Sequence, residues 1–150
     1  MDTFFLTTFN KRLYDEYAKN LIDTYLETKQ TVPLVCFVED DTSIYLQHDN
    51  IHHYNLFNEV PRIKKFIERN KGRKVTSYMN DAVRFCYKVY AQYGAKDLGK
   101  KMFYIDSDCI FRKQIPEDWY DDFIGDCDFS YYPRPSYYTE TGFIAFNCEN

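Results

Sequence analysis

Short apolar runs of strand length alternate along this chain with longer stretches whose apolar residues return every three or four positions, and that alternation constrains the fold most. Residues 3–8 read as a strand beginning almost at the first residue. From 11 to 28, Leu13, Tyr17, Leu21 and Tyr25, with Tyr14, Ala18, Ile22 and Leu26 beside them, mark one face of an amphipathic helix. Residues 32–38 form a compact apolar run, with Pro33 near its start, where proline is tolerable. A further short strand is predicted at 44–46, and 47–57 is polar and aromatic without a clear period. A helix is expected from Asn58, with Pro61 in its first turn and Ile63, Phe66 and Ile67 as its buried stripe, ending over 70–73. Another is predicted over 77–93 and closed by Gly94. Residues 102–105 are an apolar strand, 116–123 a brief helix, and 128–132 and 142–147 two final strands. Strands and helices in this order predict a three-layer α/β domain, with helices on both faces of a mostly parallel central sheet.

The chain has 150 residues, enough for one domain with a real core, and no Gly/Ser/Pro-rich linker divides it. A single domain over 1–150 is therefore expected. The sequence stops directly after an apolar strand with no closing helix, as in a domain cut short at its C-terminal side. Tyr and Phe supply 15 and 13 residues, and Tyr suits a core that opens onto a polar cleft. Formal net charge is −4, and the longest basic run is the short 69–74 segment, which speaks against an extended nucleic-acid footprint. Mild acidity is compatible with a phosphorylated ligand if a divalent cation mediates the contact. The cysteines at 36, 86, 109, 127 and 148 match no CxxC pattern, and most sit in apolar runs. With no signal peptide and no run of membrane-spanning length, a cytoplasmic, reduced protein without a transmembrane segment is expected.

The chemistry concentrates at Asp106-Ser107-Asp108, which follows Met102-Phe103-Tyr104-Ile105 directly. In α/β folds ligands gather outside the carboxyl ends of strands, so both acids are expected at one such end, facing one oxygen-seeking cation. Mg²⁺ and Mn²⁺ accept carboxylates while keeping positions for phosphate and water, and can neutralise charge on a departing diphosphate. Arg84 and Lys88, four apart on one helix face, could turn toward such a diphosphate. Glu140, just before Gly142, is a candidate general base or acceptor ligand, and Gly142 permits a tight turn or a close approach to a sugar. Asp40 and Asp41 read as an acidic loop, Asp126-Cys127-Asp128 as a turn before its strand, and His48, His52 and His53 as loop residues.

Three stretches resemble the nucleotide-sugar glycosyltransferases of GT-A fold. They are Phe4-Phe5-Leu6-Thr7-Thr8-Phe9-Asn10 with the helix after it, the helix at 80–93 followed by Lys101 to Ile110 with its Asp-x-Asp, and Tyr138-Thr139-Glu140-Thr141-Gly142 with the strand after it. The resemblance implies a Rossmann-like GT-A domain that moves a sugar from a UDP- or GDP-type donor to a hydroxyl acceptor with Mn²⁺ or Mg²⁺. It implies that Asp108 is the direct metal ligand and that Asp106 serves the ribose, the metal and catalysis. Thr8 and Asn10 would border the base and ribose, and a further metal ligand, often His, would come from beyond residue 150. Two rivals remain: a haloacid dehalogenase-type phosphatase, which also ends a strand in Asp-x-Asp, and a non-catalytic domain that binds the nucleotide sugar without transfer.

Overall fold

The computed structural model describes every residue except Ser136, Tyr138 and Asn150, and Met79 in its backbone alone. A six-stranded sheet in the order β3-β2-β1-β4-β6-β5 forms its middle layer. β1 (Thr3–Phe9) and β2 (Leu34–Val38) lie inside the sheet, and all five residues of β2 are buried. A strand covered on both faces must be apolar throughout, which explains the unbroken Leu-Val-Cys-Phe-Val run. β3 (Ile51–Asn55) and β4 (Lys101–Ile105) extend the parallel part on either side, with Phe5 opposite both Leu34 and Phe103. β6 (Phe143–Asn147) runs antiparallel to β4, and β5 (Phe129–Tyr131) antiparallel to β6. The sheet is therefore mixed: β3, β2, β1 and β4 form the parallel majority that the sequence suggested, and β6 and β5 add two antiparallel pairings.

One face carries α2 (Lys19–Glu27) and α6 (Glu117–Ile124) over Phe5, Phe9 and Phe103. The other carries α3 (Leu56–Glu59), α4 (Arg62–Asn70) and α5 (Ala82–Ala95) over Phe4, Leu6, Phe37 and Tyr104. The expected three layers are present. Leu21, Ile22 and Tyr25 of α2 are almost fully buried, each stabilising the fold by about 1.5–3 kcal/mol. Tyr25 keeps its hydroxyl satisfied by donating to the Val32 carbonyl at 2.9 Å.

The helix expected over 11–28 is present, but not as one regular α-helix. Asn10 caps α1 (Lys11–Leu13) by accepting from the Leu13 amide at 3.0 Å, and a π-helical turn at Tyr14–Ala18 joins α1 to α2. Three further expectations are corrected. Residues 44–46 are no strand: Thr42–Ile44 is a single 3₁₀ turn capped by Asp41, and the strand is β3, in the stretch whose period was unreadable. His52 and His53 consequently lie on a strand and not in a loop. The helix expected from Asn58 is split, because Asn55 caps the short α3 and Pro61 opens α4 separately.

The helix expected over 77–93 begins at Ala82, where Asp81 accepts from the Arg84 amide, and it runs through Gly94 to Ala95. Gly94 is there for packing. A Cβ on it would stand 2.5 Å from Val60 Cγ2 and 3.0 Å from Phe37 Cε1, too close for either neighbour. Among the described residues no helix is long and apolar enough to cross a membrane, and all five cysteines are free.

Candidate active site

Parallel strands deliver their carboxyl ends to one side of the sheet, and there β1, β2 and β4 open into a cleft of about 570 Å³. Thr8, Asn10, Arg84, Lys88, Asp106 and Asp108, scattered over a hundred positions of sequence, all line it. Four elements bring them: Thr8 comes from β1, Asn10 from the cap of α1, Arg84 and Lys88 from successive turns of α5, and the two acids from just past the end of β4.

Asp106 is held on several sides. Its amide donates to the Gly142 carbonyl at 2.8 Å, which continues the β4–β6 ladder by one rung. Its Oδ1 accepts from the Tyr104 hydroxyl at 2.9 Å and sits 2.8 Å from Lys88 Nζ. Lys88 also donates to the Thr141 carbonyl at 2.6 Å and lies 4.7 Å from the Tyr104 ring centroid. One ammonium thus ties α5, β4 and the loop entering β6 together. Burial, reinforced by the Asp106 charge, pushes the Tyr104 hydroxyl well above its usual range, so it stays a donor. Asp108 is exposed, and Arg84 is exposed with its guanidinium 5.4 Å from the Tyr78 ring.

Thr8 and Asn10 are already engaged within the protein. The Thr8 hydroxyl donates to the Phe37 carbonyl at 2.8 Å, and Asn10 both caps α1 and hydrogen-bonds Glu39. Glu39 itself was missed. It is the residue directly after β2, and its partly buried carboxyl is pushed above the usual range by burial, with the Asn10 hydrogen bond pulling the other way. Strand alternation could have found it, since Phe37 and Glu39 share a side of the strand. Asp81 was missed because the helix start was set five residues early, at 77, which put the capping position inside the helix. Arg12 and Tyr17, on the irregular first helix, also reach the cleft. π-turns of this kind concentrate at functional sites.

Glu140 stands beside the cleft, outside its lining. It accepts from the Gly142 amide at 2.7 Å and is ion-paired with Arg134. A Cβ on Gly142 would fall 2.9 Å from Glu140 Oε1 and 3.0 Å from Asp106 Oδ2, so both carboxylates border the space that glycine leaves. Tyr138, the first residue of this quoted stretch, lies outside the described residues. Asp40 has a structural task, accepting from the Lys11 amide and from the Tyr45 hydroxyl at 2.8 Å, and Asp126 lies in the turn before β5.

The donor set can be tested against a divalent cation. Among the described residues no three His, Cys, Asp or Glu side chains converge as a ready ligand cage. Asp106 Oδ1 is taken by Tyr104 and Lys88, which leaves Oδ2, on the Gly142 side, and the exposed carboxylate of Asp108, both residues lining the cleft. Two hard oxygen donors at an open cleft fit Mg²⁺ or Mn²⁺, which take one or two carboxylates and complete their shells with phosphate and water.

The fold has counterparts among solved structures. The apo crystal structure of mouse xyloside xylosyltransferase 1 matches with a TM-score of 0.64 at 12% identity, over 99% of this chain and 68% of that one. The structure of an active-site mutant of LgtC matches with a TM-score of 0.60 at 13% identity, over 99% of this chain and 58% of that one. The chain thus spans about two thirds of the first and less than two thirds of the second. These likenesses establish a mixed α/β fold of GT-A type around a Rossmann-like sheet. No protein-family model and no curated relative matches the sequence.

Proposed function

We propose that this chain carries the donor-binding part of a glycosyltransferase that moves a sugar from a nucleoside diphosphate, of UDP or GDP type, to a hydroxyl acceptor. The observation that supports it most is the gathering of two strand-end carboxylates, a helix-borne Arg and Lys, and Thr8 and Asn10 around one cleft, in the fold of a xylosyltransferase. Asp108, with Asp106 Oδ2, would hold Mn²⁺ or Mg²⁺, which when bound supplies Lewis-acid neutralisation of the diphosphate. Arg84 forks onto phosphate oxygens and Lys88 adds a point charge beside Asp106. Thr8 and Asn10, with Glu39 below them, wall the nucleoside end.

Transfer forms a bond from the acceptor oxygen to the anomeric carbon, while the bond from that carbon to the diphosphate breaks and its electron pair leaves with the phosphate. Glu140, beside the cleft and paired with Arg134, would accept a hydrogen bond from the acceptor hydroxyl and take its proton. Gly142, lacking a Cβ, lets the Glu140 and Asp106 carboxylates approach its backbone from two sides, which keeps Glu140 close to the reacting end. Asp106 acts catalytically by anchoring Lys88 and Tyr104 at the reacting end.

Calorimetric titration with UDP, GDP and their sugar conjugates, with and without Mn²⁺, tests this. Metal-dependent binding of one base is expected. Silence across the series on folded protein would overturn the proposal, and trapping a phosphoaspartate on Asp106 would replace it with the phosphatase. Nucleotide binding without turnover would leave a non-catalytic binding domain.

A further inference from the structure

Between Arg62 and Lys74 the chain carries seven Lys or Arg residues against one acid, Glu68, in a protein whose formal net charge is −4. All seven of these basic residues are exposed. α4 presents its share outward while burying Ile63, and residues 71–78 carry the rest, exposed throughout. Beside it, α5 exposes Phe85 (40%), Val89 (59%) and Tyr93 (47%), four residues apart and hence in one stripe. Val75 and Tyr78 are exposed next to them in sequence. Between α4 and α5 lies an apolar groove of about 480 Å³. The Arg62 guanidinium rests 3.5 Å from the Tyr93 ring centroid and Arg69 lies 5.7 Å from Phe66, so the cationic side chains lie along aromatic surface.

We propose that this face, formed by α4, residues 71–78 and the outer side of α5, docks on an anionic lipid bilayer. Charge complementarity selects the partner: a concentrated cationic cluster on an acidic protein is drawn to a negative surface, and the exposed apolar stripe inside it enters the headgroup boundary. A nucleic acid would meet the same charge, but Arg62 already covers the Tyr93 ring, Arg84 and Phe85 lie against Tyr78, and Val75 and Val89 offer no π-face for stacking a base. The inference does not rest on the donor reading. It joins it at one residue, because Phe85 lines both the groove and the cleft, which sets the cleft mouth at the lipid surface.

Co-sedimentation of the full chain with vesicles of phosphatidylcholine, alone or with one third phosphatidylserine, tests it. Retention on the anionic vesicles alone, falling as salt is raised, is expected. The variant Lys71→Ala/Arg73→Ala/Lys74→Ala should lose about 100-fold in partition, and Val89→Asp should also weaken it, both with unchanged melting. Equal binding to neutral vesicles, binding to neither, or an unaffected triple variant would overturn it. So would tight, salt-dependent binding of an RNA oligonucleotide that anionic vesicles do not displace.

Discussion

Asp106 and Asp108 are one residue apart and live in different surroundings. Asp106 holds the Lys88 ammonium, whose side chain is only 19% exposed, together with the buried Tyr104 hydroxyl, whereas Asp108 is open to solvent. Their substitutions should separate. Asp108→Asn is expected to weaken Mn²⁺-dependent nucleotide binding at least about tenfold while leaving stability within about 0.5 kcal/mol. Asp106→Ala should do both, costing about 1–3 kcal/mol because it strands a buried donor. Paired calorimetry and thermal melts decide it. A second residue-scale prediction concerns pH. The buried ring nitrogens of His53 have no hydrogen-bond partner among the described residues, the ring stacks on Tyr45, and burial lowers its basicity. A base with a depressed folded pKa favours the fold while neutral. Its contribution is present above the free value of about 6.5 and is lost as pH falls through and below it. Stability should therefore decline on acidification toward about pH 5, and His53→Phe should flatten that decline in denaturant melts. Glu39 has the opposite sign. Its raised pKa favours the fold below the free carboxyl value of about 4.3 and loses that advantage as pH rises through the folded value, so Glu39→Gln should melt higher than the parent at neutral pH and equally near pH 4.

At the scale of elements, Gly94 offers a clean test. Alanine would gain about 1 kcal/mol of helix propensity but drives a Cβ into Val60 and the buried Phe37, an overpacking cost of about 1–3 kcal/mol. Gly94→Ala is expected to lower the urea midpoint. An exposed glycine in a helix would raise it. The same residue shows where sequence reading stops. Gly94 was expected to end its helix because Gly signals termination, but the demand came from tertiary packing, which no local pattern carries. β3 was illegible for a related reason. At the sheet edge its His-His-Tyr-Asn run is only half-buried, so neither an apolar run nor a strict alternation marks it. β1, β2 and β4, buried on both faces where the requirement for apolar side chains is absolute, were read from unbroken apolar runs, and β5 and β6, less buried, were still found within a residue at each end.

On the scale of the molecule, the cleft was legible as an end of the sheet but not as a set of neighbours. The Asp-x-Asp gave its position because a strand end is a one-dimensional feature. Glu39 and Asp81 reach the cleft only through the lateral order of strands and helices, which the sequence does not spell out. Since ligand, if bound, contacts β1, β4 and α5 together, binding should stabilise the whole cooperative unit. At 100 times Kd the gain is about 2.7 kcal/mol, which for a chain of this size raises Tm by about 5–10 °C. Differential scanning fluorimetry with the nucleotide that binds, with and without Mn²⁺, measures it, and an unchanged Tm at saturation would contradict binding to the folded state.

The reversal of direction between β4 and β6 has its own consequence. Because the two strands run oppositely, the chain leaving β4 at Asp106 and the chain entering β6 at Gly142 meet at the same rim, joined by the Asp106 amide and the Gly142 carbonyl. Everything from 107 to 141 is then an excursion that departs from and returns to a single fixed seam. Outside α6 and the edge strand β5, its loop segments can lengthen, shorten or change their chemistry without moving β4 or β6, so a lineage can rewrite what the cleft accepts while inheriting Asp106 at the seam.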